Sequence, residues 1–330
     1  MRSDFTVLLV EEIDEAGLKI LMDNVKVVFA SGYSEEVLLK ETENVDAIII
    51  RVMGKITRKI VENAKKLKVI GRHGAGLDNV DLKAITEHKI PLVYTPDANA
   101  ESVADHTIGL MIAVAKKIPQ AHYAVKFEKN WSVRYKYIGA EVYKKTLGLI
   151  GLGTIGRSVA KRAKGFDMRI LYNSRTRKPD MEKELGVEYA DLETLLKNSD
   201  FVSIHVPLTE KTYKMIGDRE IGKMKDGSFL INTSRGGIVD EAALYRALVS
   251  GKLAGAALDV YEKEPPDFEN PLFKLENVVL SPHMAAHTKE ALRRMAVTVA
   301  EDVIAVLNGK RPKYLANPEV LGRCKPAETI

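Results

Sequence analysis

The 330-residue sequence predicts an α/β fold built from two doubly wound parallel sheets. The chain is longer than a single ordinary hydrophobic core supports, which favours two domains. Short apolar runs alternate with amphipathic stretches, which is typical of buried parallel strands covered by helices on both faces. Residues 151–156 read Gly-Leu-Gly-Thr-Ile-Gly, between an apolar run and a helical pattern. This order predicts a strand, a tight turn and a helix at the start of the second sheet.

The first hundred residues form one alternating series. Strand patterns occupy residues 5–10, 25–30, 46–50, 67–71 and 91–94, and helical patterns occupy residues 14–22, 34–41 and 58–65. The series breaks at residues 95–100, Thr-Pro-Asp-Ala-Asn-Ala, and a long helix is predicted to begin near Glu101.

A second alternating series begins at Thr146. Its strand patterns occupy residues 147–151, 169–172, 201–205, 228–232, 255–260 and 278–280. A last helix is predicted for residues 289–307, followed by a polar tail. Because ligands of doubly wound sheets bind beyond the carboxyl ends of the strands, we expect the active site in the cleft between the two units.

The composition is that of a globular protein that binds neither membranes nor nucleic acid. Hydrophobic residues make up 45% of the chain and charged residues 29%, and the net charge of +5 is spread without a long basic block. The most apolar stretch, residues 108–115, is too short to span a bilayer. Residues 1–10 resemble a first strand more than a signal peptide.

The cysteine and histidine content indicates neither a disulfide nor a metal site. The one cysteine, Cys324, lies in the terminal tail, so no internal disulfide forms and a reducing, cytoplasmic compartment is expected. His73, His106 and His205 do not have the spacing of metal ligands, and we expect them to pack in the core.

The glycine turn has the chemistry of a dinucleotide site. Gly151 permits the tight turn, Gly153 lets a pyrophosphate approach bare backbone, and Gly156 lets helix and strand pack closely. The phosphate charge would then lie at the helix N-terminus. Such a motif is weak evidence alone, and the segments that follow it strengthen the prediction.

The end of the second strand of this unit favours NADP, while NAD stays possible. NAD-binding units usually place an acid there to hold the ribose hydroxyls, and here the strand ends in Asn173 and Ser174 without one. The following Arg175, Thr176 and Arg177 offer the charges and donors that an adenosine 2′-phosphate needs. The alternative is an exposed basic loop that tolerates either cofactor.

Three later strands are each followed by a segment that presents a candidate catalytic side chain: Arg235, Glu264 and His283. Reduction of a 2-oxo acid needs a cation to hold the carboxylate and polarise the carbonyl, and a group that delivers a proton. Arginine suits the first task and histidine, oriented by a carboxylate, the second. Taken singly, the three could be a surface ion pair, a solvated acid and a capping histidine; their shared placement favours catalysis.

Over about residues 40 to 320 the chain resembles the D-isomer-specific 2-hydroxyacid dehydrogenases, which include phosphoglycerate, glyoxylate/hydroxypyruvate, D-lactate and formate enzymes. The resemblance depends on residues 71–80 (Gly-Arg-His-Gly-Ala-Gly-Leu-Asp-Asn-Val), the glycine turn, residues 232–240, residues 259–265 and Pro282-His283. It implies that His283 is the acid/base, supported by Glu264, and that Arg235 binds substrate. The further positions that it implies are Thr154 and Ile155 at the pyrophosphate, Val206, Pro207, Thr233 and Ser234 along the cofactor, Asp259 at the carboxamide, and the Ala75 and Gly76 backbone at the substrate carboxylate.

The family's layout makes the first unit discontinuous. Residues 1–100 and 287–330 would form a flavodoxin-like substrate domain, and residues 101–286 a Rossmann dinucleotide-binding domain. By the same resemblance, the loop around Trp131 would embrace a partner subunit in a homodimer.

Two alternatives stay open. Arg51 resembles an arginine of the phosphoglycerate branch, where it would pair with a distal anionic group of the substrate; a structural ion pair is the other interpretation. The cofactor loop instead favours a glyoxylate/hydroxypyruvate reductase. A different class of function is an NAD(P)-sensing interaction protein, like the corepressors that share this fold and retain the same three polar residues.

Overall fold

The computed structural model describes residues 4–321, and Cys324 lies outside the described residues. The chain forms two compact units. The first contains the described residues up to Asn99 together with those from His287 onward, and the second is Ala100–Ala286.

The first unit begins with a five-stranded parallel sheet. Its strands are β1 (Thr6–Leu9), β2 (Lys26–Phe29), β3 (Ala47–Ile50), β4 (Val69–Arg72) and β5 (Leu92–Tyr94). Between them lie helices α1 (Glu15–Asn24), α2 (Glu35–Glu41), α3 (Arg58–Asn63) and α4 (Leu82–Glu87). The spatial order β2-β1-β3-β4-β5 is flavodoxin-like. Every residue of β3 is buried, as expected for a parallel strand covered on both faces.

The second unit contains a seven-stranded parallel sheet. Its strands are β6 (Thr146–Ile150), β7 (Arg169–Asn173), β8 (Glu188–Tyr189), β9 (Phe201–Ile204), β10 (Ser228–Asn232), β11 (Leu253–Leu258) and β12 (Val278–Leu280). Its helices are α5 (Ala100–Lys116), α6 (Ile118–Lys126), α7 (Thr154–Ala163), α8 (Pro179–Leu185), α9 (Leu192–Asn198), α10 (Asp218–Lys223) and α11 (Glu241–Val249). The order β12-β11-β10-β9-β6-β7-β8 is the Rossmann order with one added strand.

The two sheets confirm the predicted fold class. One strand, β8, is missing from the prediction because its two residues are too few to show an apolar pattern. Among the described helices, none is both long and apolar enough to cross a bilayer.

The last helix, α12 (Lys289–Leu307), returns to the first unit and packs on α1 and β4. Two glycines make this packing possible. A Cβ on Gly17 would lie 2.4 Å from the Ala296 carbonyl oxygen, and one on Gly71 would lie 2.8 Å from methyl groups of Val299 and Val303. The helix backbones therefore approach each other more closely than an alanine at position 17 would allow.

We expect Gly17→Ala to lower the free energy of unfolding by about 1–3 kcal/mol, because its methyl group meets backbone that cannot move aside cheaply. Gly109→Ala is the matched control, since Gly109 lies inside α5 with no described atom within 4 Å of the added methyl group. The control should gain about 0.5–1 kcal/mol from helix propensity. Denaturant unfolding of both variants checks this, and equal effects would contradict close α1–α12 packing.

Candidate active site

The turn between β6 and α7 is closely packed from behind and open at its centre. Gly151 has φ +103°, and a Cβ there would lie 2.4 Å from the His205 carbonyl oxygen. A Cβ on Gly156 would lie 2.3 Å from the Gly151 carbonyl oxygen. At Gly153, the N-cap of α7, no described heavy atom beyond its own chain neighbours lies within 4 Å of that position. Thr154 and Ile155 follow, half-buried, in the first turn of the helix.

The two arginines in the loop after β7, Arg175 and Arg177, have different environments. Arg177 donates from Nε and Nη2 to the Glu182 carboxylate at 2.9 and 2.8 Å. Hydrogen bonds from Arg177 and from the Tyr172 hydroxyl lower the pKa of Glu182 to about 2. Arg175 is exposed and has no hydrogen bond or ion pair within the described part of the chain. The basic pair that the sequence suggests is therefore one engaged arginine and one available arginine.

Neighbouring groups give this loop its shape. The Ser174 hydroxyl donates to the Thr176 carbonyl oxygen at 2.7 Å, and the Lys178 ammonium donates to the Leu152 carbonyl oxygen at 2.8 Å. The second bond ties the loop to the glycine turn. No acidic side chain lies at positions 173–178, where an NAD-binding unit usually has one.

The loops after β9 and β10 are joined by hydrogen bonds. The Ser234 hydroxyl donates to the Val206 carbonyl oxygen. Thr233 is buried, and its hydroxyl lies 2.8 Å from that of Thr107 on α5. Pro207, next to Val206, is exposed. Thr233 thus uses its side chain to attach its loop to a helix, while Ser234 and Val206 hold two strand ends together.

His205, at the end of β9, is the first of the predicted packing histidines. Burial lowers its pKa to about 4, so the imidazole is neutral near pH 7. Its Nε2 lies 2.8 Å from the Ser203 hydroxyl. The position behind Gly151 and the neutral ring both fit a packing role.

Arg235 follows β10 in a loop that its own neighbours hold in place. The Asn232 side chain accepts from the Ser234 N–H at 3.0 Å and donates to the Arg235 carbonyl oxygen at 2.9 Å. The guanidinium Nη1 donates to the Ser234 carbonyl oxygen at 2.7 Å. The next residue must be glycine, because a Cβ on Gly236 would lie 1.8 Å from the Tyr261 carbonyl carbon. This contact packs the loop after β10 against the loop after β11.

His283 and Glu264 form a hydrogen-bonded pair at the ends of β12 and β11. The His283 Nδ1 lies 2.6 Å from the Glu264 Oε2. The other carboxylate oxygen accepts from the Tyr261 N–H at 3.1 Å, so both oxygens are held. The side chains are 40% and 34% exposed. A carboxylate on Nδ1 leaves Nε2 as the nitrogen that can exchange a proton with a ligand.

Asp259 anchors the segment that carries His283. Its buried carboxylate accepts from the Ser281 hydroxyl at 2.6 Å and from the N–H groups of Met284 and Ala285 at 2.9 Å. The Asp259 carbonyl oxygen accepts from the His283 N–H at 2.8 Å. Burial alone would raise the pKa of Asp259, but hydrogen bonds, chiefly from His106 and Ser281, bring it below the usual value.

Ser281 and His106 also belong to this site, although neither is among the site residues predicted from the sequence. The His106 Nε2 lies 2.9 Å from the Ser281 hydroxyl and 3.5 Å from the Asp259 carboxylate. Ser281 stands two residues before His283, which was a usable signal. His106 lies on α5, far away in sequence, and was expected only to pack in the core.

In the first unit, the Arg51 guanidinium donates to a backbone carbonyl oxygen rather than to a carboxylate. Its Nη1 donates to the Glu12 carbonyl oxygen at 2.7 Å, while its backbone N–H donates to the Glu11 carboxylate. The nearby His73 is buried, and burial together with the Arg51 charge lowers its pKa to about 3. His73 therefore packs as a neutral ring.

Ala75 and Gly76 lie half-buried in the loop after β4. Their backbone N–H groups make no hydrogen bond to the residues that the structure describes. Between residues 4 and 321, no group of three or more His, Cys, Asp or Glu side chains could hold a metal ion.

Comparisons with known proteins agree on one family. The model of the D-isomer specific 2-hydroxyacid dehydrogenase NAD binding domain matches residues 108–285. A D-3-phosphoglycerate dehydrogenase from Archaeoglobus fulgidus is 45% identical over 92% of this chain, which spans 57% of that relative's length. A glyoxylate reductase from Korarchaeum cryptofilum is 43% identical over 96% of both chains.

A solved structure shows the same similarity. The NADPH-dependent glyoxylate/hydroxypyruvate reductase from Sinorhizobium meliloti, in complex with NADP and malonate, superposes with a TM-score of 0.85. The two are 28% identical, and the match covers 98% of this chain and 100% of the other. With a family model over more than half of its length and a relative 43% identical across nearly all of it, the chain belongs to the D-isomer specific 2-hydroxyacid dehydrogenase family.

Proposed function

We propose that this protein is an NAD(P)-dependent oxidoreductase that interconverts a short 2-oxo acid and its D-2-hydroxy acid. The observation that carries the proposal is the His283–Glu264 pair, with Nδ1 held by the carboxylate at 2.6 Å. It stands at the carboxyl edge of the sheet whose first strand leads into the glycine turn. Ligands of such sheets bind at this edge.

The described residues fit a dinucleotide. Gly151, Gly153 and Gly156, with Thr154 and Ile155, would hold the pyrophosphate, and the open space at Gly153 supports this. Val206, Pro207, Thr233 and Ser234 would line the cofactor, and Asp259 would add a contact to the carboxamide while it anchors the His283 segment. When bound, the nicotinamide supplies or accepts the hydride at the substrate C2.

The side chains of the site handle charge and protons. Arg235 would bind the substrate carboxylate and the carbonyl oxygen with its planar fork. His283 would give its Nε2 proton to that oxygen during reduction and take it back in the reverse direction. Glu264 would keep the His283 ring oriented and would offset the positive charge of the ring when both of its nitrogens are protonated. In the first unit, the backbone N–H groups of Ala75 and Gly76 would donate to the substrate carboxylate.

For the cofactor we propose a preference for NADP. Supporting this are the absence of an acid at the end of β7, the available guanidinium of Arg175 and the nearby hydroxyls of Ser174 and Thr176. We expect Arg175→Ala to raise the Kd of NADPH by about tenfold or more, a loss of about 1.5–3 kcal/mol for a hydrogen bond to a charged group. The Kd of NADH should change little, because it lacks the 2′-phosphate.

Arg177→Ala is the matched control, because the Arg177 guanidinium already pairs with Glu182. This change should affect the two cofactors alike. Titration of cofactor fluorescence measures both constants for each variant. Equal losses for NADPH and NADH in Arg175→Ala would rule out recognition of the 2′-phosphate by Arg175.

Within this class we propose glyoxylate or hydroxypyruvate as the substrate. Supporting this, the glyoxylate reductase of Korarchaeum cryptofilum is 43% identical to this chain over 96% of its length. The Arg51 Nη1 also already donates to the Glu12 carbonyl oxygen, which leaves less of the fork for a distal phosphate.

The test is a spectrophotometric screen with both cofactors against glyoxylate, hydroxypyruvate, other short 2-oxo acids and, in the oxidative direction, 3-phosphoglycerate. Turnover with NADPH and the two small oxo acids is expected. Preferred oxidation of 3-phosphoglycerate would instead assign Arg51 to a distal anion. Tight NADPH binding with no turnover on any substrate would contradict the proposed enzymatic function and favour a cofactor sensor.

We also propose that the protein is a homodimer through the segment from α6 to β6. Trp131 is 73% exposed in a stretch that contains several other large apolar side chains, each at least half exposed: Ile118, Tyr123, Phe127, Tyr135 and Ile138. So large an apolar surface marks an interaction site. Sedimentation velocity should give twice the mass of the chain, and a monomer at assay concentrations would contradict the proposal.

A further inference from the structure

A cavity of about 400 Å³ lies in the first unit, and none of its lining residues belongs to the proposed active site. Its walls come from three segments of the chain. Asp97 and Ala98 lie after β5, Arg293 and Arg294 lie near the start of α12, and Lys313 and Tyr314 follow that helix.

Positive charge predominates in this cavity. Arg293, Arg294 and Lys313 are among its lining residues, and Asp97 is the one acidic residue among them. The Arg294 Nε donates to the Ala98 carbonyl oxygen at 2.9 Å, which fixes that side chain across the cavity wall. Arg293 is exposed and makes no ion pair or hydrogen bond with residues 4–321. The Lys313 ammonium lies 5.0 Å from the centre of the Tyr314 ring.

The segment that contains Lys313 is anchored by hydrogen bonds to α12 and to β5. The carboxylate of Asp302, only 4% exposed, accepts from the N–H groups of Lys313 and Tyr314 at 2.6 and 3.0 Å. Two residues later the Ala316 N–H donates to the Leu92 carbonyl oxygen of β5 at 2.8 Å. The three cations therefore stand on a helix and on a segment fixed to the sheet.

We propose that this cavity binds the phosphate group of a small ligand through side chains that are not part of the proposed active site. Arginine forks match phosphate oxygens in pairs, and lysine adds a point charge. Tyr314 and Thr298 also line the cavity, and each carries a hydroxyl group. The volume lies within the range of small-molecule sites and exceeds the needs of free phosphate, so a phosphate monoester of a small metabolite fits as well.

The test is calorimetric titration of the whole protein with inorganic phosphate, at an ionic strength held constant with chloride and without cofactor or oxo acid. Saturable binding with a Kd on the order of 1 mM is expected. The double variant Arg293→Ala/Lys313→Ala should weaken it at least about tenfold, the loss expected for two charge-assisted contacts.

One single variant is the matched control. Arg311→Ala removes one charge two residues from Lys313 without touching the cavity wall. It should bind phosphate as the parent does. Thermal unfolding of each variant checks the fold, and Arg293→Gln replaces the double variant if that variant unfolds early.

Absence of saturable phosphate binding would overturn the proposal. So would unchanged binding in the double variant, or an equal loss in Arg311→Ala, which would indicate general charge only. A parallel titration with glycerol 3-phosphate distinguishes free phosphate from a phosphate monoester as the ligand. Tighter binding than phosphate assigns a monoester, and equal binding assigns free phosphate. No turnover is measured, so the outcome is independent of the proposed enzymatic function.

Discussion

Replacing His283 with alanine is expected to lower kcat by about 10²–10⁴-fold, the usual contribution of a general acid or base. The Kd of the cofactor should stay nearly unchanged, because the glycine turn and the β7 loop lie on other strands of the sheet. The Glu264 carboxylate holds Nδ1 of the ring at 2.6 Å, so Nε2 is the nitrogen that can exchange a proton with a ligand. Alanine removes that proton donor and leaves the remaining binding groups in place.

Stopped-flow turnover and cofactor titration on the same preparation measure both quantities. His88→Ala is the matched control, since His88 is an exposed histidine directly after α4 with no part in the site. It should have the kcat of the parent. A kcat for His283→Ala equal to that of the control would discard the acid/base role, while a large loss of cofactor affinity would indicate a collapsed segment.

Glu264→Gln separates orientation from charge. The glutamine can still accept a hydrogen bond from Nδ1, but it carries no charge to offset a protonated ring. We expect a loss of kcat smaller than that of His283→Ala, with KM little changed. A loss as large as that of His283→Ala would mean that the charge, more than the ring orientation, governs proton transfer.

Replacing Arg235 with lysine is expected to lower kcat/KM by about 10²-fold or more, comparable to the loss of a group that stabilises the developing charge. A lysine keeps the charge but has no planar fork to hold a carboxylate and a carbonyl oxygen together. Asn232 and Gly236 fix the backbone position of residue 235. A lysine ammonium group at this position therefore cannot replace the lost second contact by a shift of the loop.

Steady-state kinetics with the best oxo acid of the screen measure the effect. Arg246→Lys is the matched control, because Arg246 forms a two-point pair with Asp218 on the exterior of α11. That change should leave kcat/KM unaltered. Kinetics of Arg235→Lys equal to those of the control would show that charge alone suffices and that the fork has no role in binding.

The elements that the sequence predicts well depend on local patterns. β3 reads as four apolar residues in a row, and its burial on both faces is the reason for that run. The glycine turn is equally local, since Gly151 and Gly156 pack within a few residues of each other or against one strand end. For the same reason, the loops that carry Arg235, Glu264 and His283 could be placed at the carboxyl edge of one sheet.

Contacts between distant segments were beyond sequence reasoning. Arg175 and Arg177 look alike in the sequence, and only the fold shows that Glu182 on α8 engages the second. The anchoring of the His283 segment by Asp259 and Ser281, with His106 against them, joins strand ends to a helix that precedes them by more than a hundred residues.

By itself the sequence determined two parallel sheets, a glycine turn between a strand and a helix, and the loops after the strands that carry Arg235, Glu264 and His283. Each of these features depends on residues that are close together in the sequence. Only the tertiary structure decided which polar side chains are already bound and which face solvent. That choice depends on partners brought together by packing, such as the Glu182 carboxylate or the Asp302 carboxylate beneath the cationic cavity. A buried polar group must find a partner wherever the fold supplies one, and chain order does not record where that is.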